Sequence, residues 1–450
     1  MSMSWISFIH DLTFDDLPEV VVSRAKLYLL DLIGVAASGR QTRLSEIAHG
    51  FAARQLGCGC ASGSARLLFD DRAASAAGAA YAGASTIDSF DAHDGHALTK
   101  GHAGVALLPA LFAVADSGTR VDGRNFLTSL VMGYEIATRA GMALHSSVPE
   151  YHTSGAWNAL GCAAIAARLL GLGAEATRQA LGTAEYHGPR SQMMRAIDHP
   201  TMVKDGSAWG ALAGVSAAYL AADGFTGAPA VTVEAPERSA IWSDLGQRWR
   251  ILEQYVKPYP VCRWAQPAVE AAAKLQREHD IRPESIARVR IETFGAAVRL
   301  GNRVPRTTEE AQYAAGFPVA ALLVNGRIGA AEISAAGLQS PQIAALCQKI
   351  ELQESAAFTA RFPAERFAIV AIEQADGTVW TSGPTTARGD PDHPLPEGEI
   401  VGKFRQLTDS LSDTRRAEIE RAIATLAQSD SQPLRDAVLA PLRGNATGRR

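Results

Sequence analysis

Hydrophobic residues recur at helical spacing through most of the first 280 residues. Residues 15–18 (DDLP) place acids and a proline at a helix start, and Val21, Ala25, Leu29 and Leu32 then follow at helical intervals. Further apolar stretches of the same spacing, many of them dense in alanine and glycine, cover 104–116, 122–141, 155–171, 174–182, 205–222 and 265–278. The pattern therefore predicts a body of closely packed helices.

Near residue 285 the spacing of the hydrophobic residues changes from the period of a helix to that of a strand. Apolar and polar side chains alternate over 286–293 (IARVRIET), which is typical of a half-buried strand. The runs 367–373 and 378–381 flank Asp376-Gly377, a strong hairpin signal. Helical stretches lie between these strands, at 309–325 and 330–337.

After a proline-rich connector at 389–396, helical spacing returns to the end of the chain. Returning helices most simply pack back on the first helical body. We therefore predict a mainly α fold, in which a large helical domain is interrupted by a smaller α+β lid domain. The predicted boundaries are 1–265 for the first part of the helical domain, 266–396 for the lid and 397–450 for the returning helices.

Composition and charge narrow the classes of partner. The 450 residues are 47% hydrophobic and 20% charged, and 43 Lys+Arg against 47 Asp+Glu give a net charge of -4. This balance gives no electrostatic reason to expect nucleic acid or an anionic membrane as a partner. The most apolar stretch, 104–115, is shorter than the roughly 20 residues of a membrane span. With five scattered cysteines and no signal peptide, we expect a cytoplasmic protein whose partner is a small molecule or another copy of the chain.

Histidines are concentrated in one part of the sequence. Seven of the eleven fall between residues 93 and 199, and the densest patch is 88–104 (DSFDAHDGHALTKGHAG). One interpretation is a catalytic loop that supplies acid, base and anion contacts to a small anionic substrate. The alternatives are a solvated surface loop and a metal site of a hydrolase built on His93, His96 and His102. The spacing of these residues matches no established metal-ligand motif.

Two lysines lie in unusual surroundings. Lys204 stands in MVKDGSAWG just ahead of a helix of small residues, and Lys257 stands in YVKPYPVC, where two prolines restrict the backbone. Each lysine alone is most simply a surface charge. Together with the histidines they suggest a cationic pocket.

With these residues in view, the chain resembles the MmgE/PrpD family over nearly its whole length. The segment 16–39 is similar to the first helix of the family, and DSFD with the following HAG is similar to its acidic loop and histidine element. Three further family signatures have counterparts here. They are GYEIATR at 133–139, KDGSA at 204–208 and KPYPVC at 257–262.

The resemblance implies a helical domain interrupted by a lid, a homodimer, and an active site between the domains that needs no metal or organic cofactor. It also implies chemistry at a carbon next to a carboxylate of a small polycarboxylate. Family members dehydrate 2-methylcitrate, decarboxylate cis-aconitate or epimerise iminodisuccinate. Carried over by motif, the catalytic positions are Asp88, His102, His152, Lys204 and Lys257. Further expected substrate contacts are Asp91, His96, Tyr151, Arg190, Arg195 and Tyr259.

Removal of a proton next to a carboxylate builds negative charge on oxygen, which cations and hydrogen-bond donors must meet. The lysines, His102 and the arginines have the required chemistry. Where the lyase branches tend to have a threonine in the acidic loop, this chain has Ala92. That difference favours epimerisation of an aminodicarboxylate such as iminodisuccinate, with a dehydratase or decarboxylase of the same family as the alternative. A metal-dependent hydrolase and a purely structural or binding role remain further hypotheses.

Overall fold

Helices dominate the N-terminal part of the protein, as the hydrophobic spacing predicts. We describe a computed structural model that covers residues 3–59, 63–118 and 120–442. Most predicted helices agree with the observed ones to within a few residues. The helices before the central sheet are Trp5–Asp11, Glu19–Gly39, Arg43–Gln55, Ala76–Asp88, Gly104–Asp116, Gly123–His145, Gly155–Leu169, Ala174–His187, Met193–Asp198, Ser207–Ala222, Val231–Glu234, Ser239–Trp242 and Gln266–His279.

Small residues allow these helices to pack closely. A Cβ atom added at Gly161 would lie 2.8 Å from the Cβ of Ala137, and one at Gly214 would lie 2.7 Å from the Cβ of Cys162. Both distances are shorter than real Cβ contacts, so only glycine lets the backbones approach this far. The alanine- and glycine-rich composition is therefore a consequence of close helix packing.

The C-terminal region contains a four-stranded mixed sheet. Ile286–Thr293 pairs in parallel with Ile350–Glu354 and in antiparallel with Ala368–Gln374, which continues through the Asp376-Gly377 turn to Val379–Thr381. The sequence did not predict Ile350–Glu354, because only its first residue is buried and no alternation results. Around the sheet lie the helices Gly295–Val298, Thr308–Gln312, Gly316–Asn325, Ala330–Ile333, Pro341–Cys347 and Ala356–Arg361.

The last helices return to the N-terminal body. They are Glu397–Leu407, Asp413–Ala424 and Gln432–Leu439. The ammonium of Lys403 lies 2.7 Å from the carboxylate of Asp31, and the Ser38 hydroxyl donates to the Leu407 carbonyl at 2.9 Å. The mainly α fold class is confirmed. The domain boundaries at 265/266 and 396/397 stay a prediction.

Two short antiparallel ladders lie outside the four-stranded sheet. Ser64–Arg66 pairs with Ala73–Ser75, and Gly95–His96 pairs with Gln254–Tyr255. The second ladder joins the histidine-rich loop to the segment that carries Lys257. Within residues 3–59, 63–118 and 120–442, no helix combines the length and apolar character needed to cross a membrane.

Candidate active site

The ladder between Gly95 and Tyr255 brings two distant parts of the chain together. A Cβ at position 95 would contact the Tyr255 hydroxyl and lie 2.7 Å from Nδ1 of His102. Only glycine permits this approach of strand, tyrosine and histidine. The loop after the helix Ala76–Asp88 is thereby folded over the Lys257 segment.

Lys257 and Asp91 form a buried ion pair at the centre of this loop. The lysine Nζ lies 2.5 Å from Oδ1 of the aspartate, and both side chains are at most 3% exposed. Burial alone raises the pKa of the Asp91 carboxyl, but the Lys257 and Lys204 ammonium groups outweigh it and hold that pKa below its ordinary value. Asp91 is therefore a carboxylate that holds the Lys257 ammonium in place.

Lys204 is held differently, against a neutral partner. Its Nζ donates to Oε1 of Gln312 at 2.8 Å and lies 4.6 Å from the ring centroid of Tyr313. The same amide oxygen accepts the backbone N–H of Asp91 at 2.9 Å. Because an amide carries no charge, the positive charge of Lys204 is not cancelled by its hydrogen-bond partner. Lys204 also has a left-handed backbone with φ 48°, a strained conformation for a non-glycine residue that is enriched at functional sites.

The environment of His102 keeps its ring neutral. Nδ1 lies 2.6 Å from the Asp94 carbonyl, which can only accept, so Nδ1 carries the hydrogen and donates. Burial, followed by the charge of Lys257, lowers the pKa of His102 well below its ordinary value. The backbone N–H of His102 donates to the Ser154 hydroxyl at 2.8 Å. His102 is thus a neutral imidazole with Nε2 unprotonated.

Asp205, Asp88 and His93 lie close to His102. The Ser154 hydroxyl donates to the carboxyl of Asp205, whose own backbone N–H donates to Asp88 at 3.3 Å. Burial, followed by the charge of Asp88, raises the pKa of the Asp205 carboxyl. The His93 ring packs edge-on against that of His102, with 4.4 Å between centroids.

Two cavities reach this cluster. An outer cleft of about 670 Å³ is lined by Asp88, Lys204 and Arg195 among others. An inner cavity of about 20 Å³ has room for roughly one water molecule. The ring of Tyr313 lines the inner cavity and contacts Lys204, so it stands between the two. The residues lining the inner cavity are Asp91, Lys100, His102, Tyr151, Met193, Ile197, Tyr255, Cys262, Arg263, Trp264, Tyr313 and Arg366.

In the described part of the chain, three side chains of types that bind metal ions lie close together. They are Asp91, His93 and His102, and their potential ligand atoms lie within 4.8 Å of one another. The Lys257 ammonium already contacts the Asp91 carboxylate, and its positive charge would repel a divalent cation at that oxygen. The triad of His93, His96 and His102 is not assembled. His96 turns away, with Nε2 3.4 Å from the carboxylate of Glu253.

The structure brings five of the predicted catalytic and binding residues into one cluster: Asp88, Asp91, His102, Lys204 and Lys257. Tyr151 lines the inner cavity and Arg195 lines the outer cleft. The roles of these residues stay predictions, now supported by a common location.

Four other predicted residues make contacts that do not involve this cluster. His96 faces Glu253, and Arg190 lies 3.9 Å from Glu185. The backbone N–H of His152 donates to the ring of His145. Tyr259 contributes its backbone carbonyl to the Gln266 side chain. The catalytic role of His152, next in sequence to the cavity-lining Tyr151, stays a prediction.

Several residues of the cluster carried no sequence signal. Gln312 and Tyr313 lie at the end of a short helix of the C-terminal region, and Arg366 precedes a sheet strand. An amide, a tyrosine or an arginine in such a segment has no distinguishing pattern. Asp205 is different, since it follows Lys204 directly in the KDGSA motif and could have been weighed as a buried acid.

Two family models match most of the chain. The MmgE/PrpD N-terminal domain matches residues 5–247, and the MmgE/PrpD C-terminal domain matches residues 259–428. The chain belongs to the MmgE/PrpD family. The family part of the sequence prediction is thereby confirmed.

Curated MmgE/PrpD relatives are similar to the chain over most of their length. It is 26% identical to the cis-aconitate decarboxylase-like protein oryM of Aspergillus oryzae, over 94% of each chain. It is 24% identical to a cis-aconitate decarboxylase of Aspergillus terreus, over 96% of this chain and 94% of the relative. The human cis-aconitate decarboxylase is 25% identical, over 89% and 86% respectively. These relatives are lyases, so the comparisons favour the lyase alternative over the isomerase that the sequence favoured, and the iminodisuccinate epimerase assignment is unconfirmed.

Proposed function

We propose that this protein is a lyase that decarboxylates a small tricarboxylate such as cis-aconitate and needs neither a metal nor an organic cofactor. The names of the similar proteins support the reaction class. The observation that carries the proposal is the pair of buried lysines: Lys204 with an uncancelled charge, and Lys257 fixed by Asp91 beside a neutral His102.

Decarboxylation breaks the bond between a carbon and its carboxylate, and the electron pair stays with the carbon. CO₂ leaves as a neutral molecule, the electron pair delocalises towards a remaining carboxylate, and a proton is then added to carbon. Charge therefore grows on the remaining carboxylate and disappears from the departing one. An efficient site places cations near the former and neutral groups near the latter.

The cluster has cations on one side and neutral groups on the other, as this reaction requires. Lys204 can stabilise the carboxylate that gains charge, and the Lys257 ammonium can supply the proton, because Asp91 orients it. The departing carboxylate suits the side of the cavity formed by the neutral His102 and by Cys262, whose thiol pKa burial raises to about 12. Neutral neighbours do not stabilise the starting carboxylate and so do not oppose its loss.

The test is to supply cis-aconitate, 2-methylcitrate and iminodisuccinate separately to the purified enzyme and to measure CO₂, alkene formation and α-hydrogen exchange. We expect CO₂ from the tricarboxylate, unchanged by a chelator, and a loss of at least ~100-fold in Lys204→Met, the loss expected for a charge-stabilising group. Lys274, whose side chain is 55% exposed, offers the matched control Lys274→Met. Exchange on iminodisuccinate without net loss of substrate would replace the lyase by an epimerase, and loss of activity on chelation would replace it by a metal enzyme.

The quaternary structure is a further part of the proposal. Exposed apolar side chains surround the outer cleft: Ile47, Met202, Val203 and Trp209 are 44–71% exposed. Clustered apolar surface of this kind is typical of an interface, and a second copy of the chain would also cover the entrance of the outer cleft. Light scattering should give a dimer mass that Trp209→Glu lowers to that of a monomer. The cytoplasmic location rests on the sequence and stays a prediction.

A further inference from the structure

Two cations beside the inner cavity have no counter-charge. Arg366 is 6% exposed, and its Nε has no hydrogen-bond partner. Lys100 is half-buried, and its Nζ lies 4.9 Å from the ring centroid of Tyr151. Among the described residues, no carboxylate lies within ion-pair distance of either. Two neighbouring cations are paired, Lys257 with Asp91 and Arg263 with Asp390.

The Lys100 backbone and the Arg366 guanidinium bind the same backbone carbonyl, which brings the two residues together. The Ala97 carbonyl accepts the backbone N–H of Lys100 at 3.2 Å and Nη2 of Arg366 at 3.2 Å. Lys100 belongs to the histidine-rich loop, whereas Arg366 precedes the sheet strand Ala368–Gln374. Burial, followed by the charge of Arg366, lowers the pKa of Lys100, which agrees with their proximity. Lys100 also has a left-handed backbone, with φ 51°.

An uncompensated buried cation is costly, and two such cations side by side are more so. A bound anion between them would remove this cost. The guanidinium can donate two parallel hydrogen bonds to a carboxylate, and the lysine adds a third donor. The proposed reaction already assigns one carboxylate to Lys204, which lines the outer cleft and contacts the ring of Tyr313.

We infer that Lys100 and Arg366 form a binding site for a second, non-reacting carboxylate of the substrate, and that they determine the preference for tricarboxylates over dicarboxylates. This inference rests on the proposed function. Because the two cations come from different parts of the fold, the carboxylate would also bridge the histidine-rich loop and the sheet region. Arg366 and Lys100 are thus specificity-determining residues of a decarboxylase whose chemistry lies at the lysine pair.

The test uses an unreactive probe, so it does not depend on turnover. Calorimetry measures the binding of propane-1,2,3-tricarboxylate and of glutarate, which has the same carbon chain without the central carboxylate. We expect the wild type to bind the tricarboxylate at least ~10-fold more tightly, the difference that one charge-assisted hydrogen bond to a carboxylate supports. Arg366→Gln and Lys100→Gln should each remove most of this preference, and Arg366→Lys should restore part of it.

The controls separate this inference from the proposed function. Arg282→Gln changes an exposed arginine of the same region and should bind both probes as the wild type does. Circular dichroism and unfolding curves of each variant show that it is folded. Wild-type tricarboxylate preference in both folded glutamine variants would overturn the inference while leaving the decarboxylase intact. A wild type that binds neither probe and releases no CO₂ from cis-aconitate would overturn both.

Discussion

Lys257 and Asp91 lie 2.5 Å apart in an ion pair that is almost completely removed from water. Residues separated by more than 160 positions reach this contact because the Gly95–His96 and Gln254–Tyr255 strands pair. A buried ion pair contributes little net stability, but removal of one partner leaves a charge without compensation. The pair therefore affects stability and catalysis in different ways, and the two effects can be separated.

Lys257→Met should lower the free energy of unfolding by about 3–5 kcal/mol, because Asp91 is left charged and buried. It should also lower kcat/KM by at least ~100-fold, since the proton donor is lost. The double variant Lys257→Met/Asp91→Asn removes both charges and should regain most of the stability but none of the activity. Urea unfolding and steady-state kinetics measure the two quantities. Recovery of activity in the double variant would show that the ammonium has no chemical role.

Lys204→Met should lower activity as Lys257→Met does, but it should lower stability less. Its partner Gln312 is neutral and keeps the Asp91 N–H as a donor, so no charge is left unpaired. We expect kcat/KM to fall by at least ~100-fold while the unfolding free energy changes by less than in Lys257→Met. If stability falls equally in both variants, the assignment of Lys204 to a neutral partner is wrong.

The pH dependence of stability tests the protonation state of the Asp94 carboxyl. The backbone carbonyl of this residue accepts the hydrogen bond of His102. Burial raises the pKa of the Asp94 carboxyl to about 6, so the native state holds its proton where the unfolded state has lost it. This group therefore contributes stability at low pH that is lost as pH rises from about 4 through about 6. Asp94→Asn cannot lose a proton, and its unfolding free energy relative to wild type should increase by about 2.5 kcal/mol between pH 4 and pH 8. A difference that stays constant with pH would contradict the protonated state.

The size of the inner cavity predicts an opening motion. A space of about 20 Å³ cannot admit a tricarboxylate, so the sheet region that carries Tyr313 and Arg366 must move for the substrate to enter. We expect propane-1,2,3-tricarboxylate to change amide hydrogen exchange at both junctions of this region, near 259–265 and 389–396. The buried helix Gly123–His145 serves as the internal reference. Unchanged exchange at both junctions under saturating probe would exclude the motion.

The sequence predicted the fold well because helix and strand periods are properties of local segments. The helix after Pro18, the strand at 286 and the Asp376-Gly377 hairpin all follow from nearest neighbours in sequence. The exposed strand Ile350–Glu354 was missed, because it pairs in parallel through its backbone and needs no apolar face.

The candidate site was predictable only where a motif marked it. The family motifs identified Lys204, Lys257 and His102, and the structure brings these three together. Gln312 and Arg366 depend on contacts between segments more than 100 residues apart, for which no local pattern exists. The sequence pattern could not decide between an epimerase and a lyase either, because both reactions develop charge next to a carboxylate. The single difference at Ala92 favoured the epimerase, whereas the relatives favour the lyase.

The most direct test of the decarboxylase is nuclear magnetic resonance of carboxyl-labelled ¹³C-cis-aconitate with the wild-type enzyme in deuterium oxide. We expect one labelled CO₂ released for each substrate consumed, and one deuterium bound to carbon in each product, because Lys257 exchanges its protons with solvent before donating. Deuterium incorporation with all carboxylates retained, or no reaction with cis-aconitate at any enzyme concentration, would contradict this expectation.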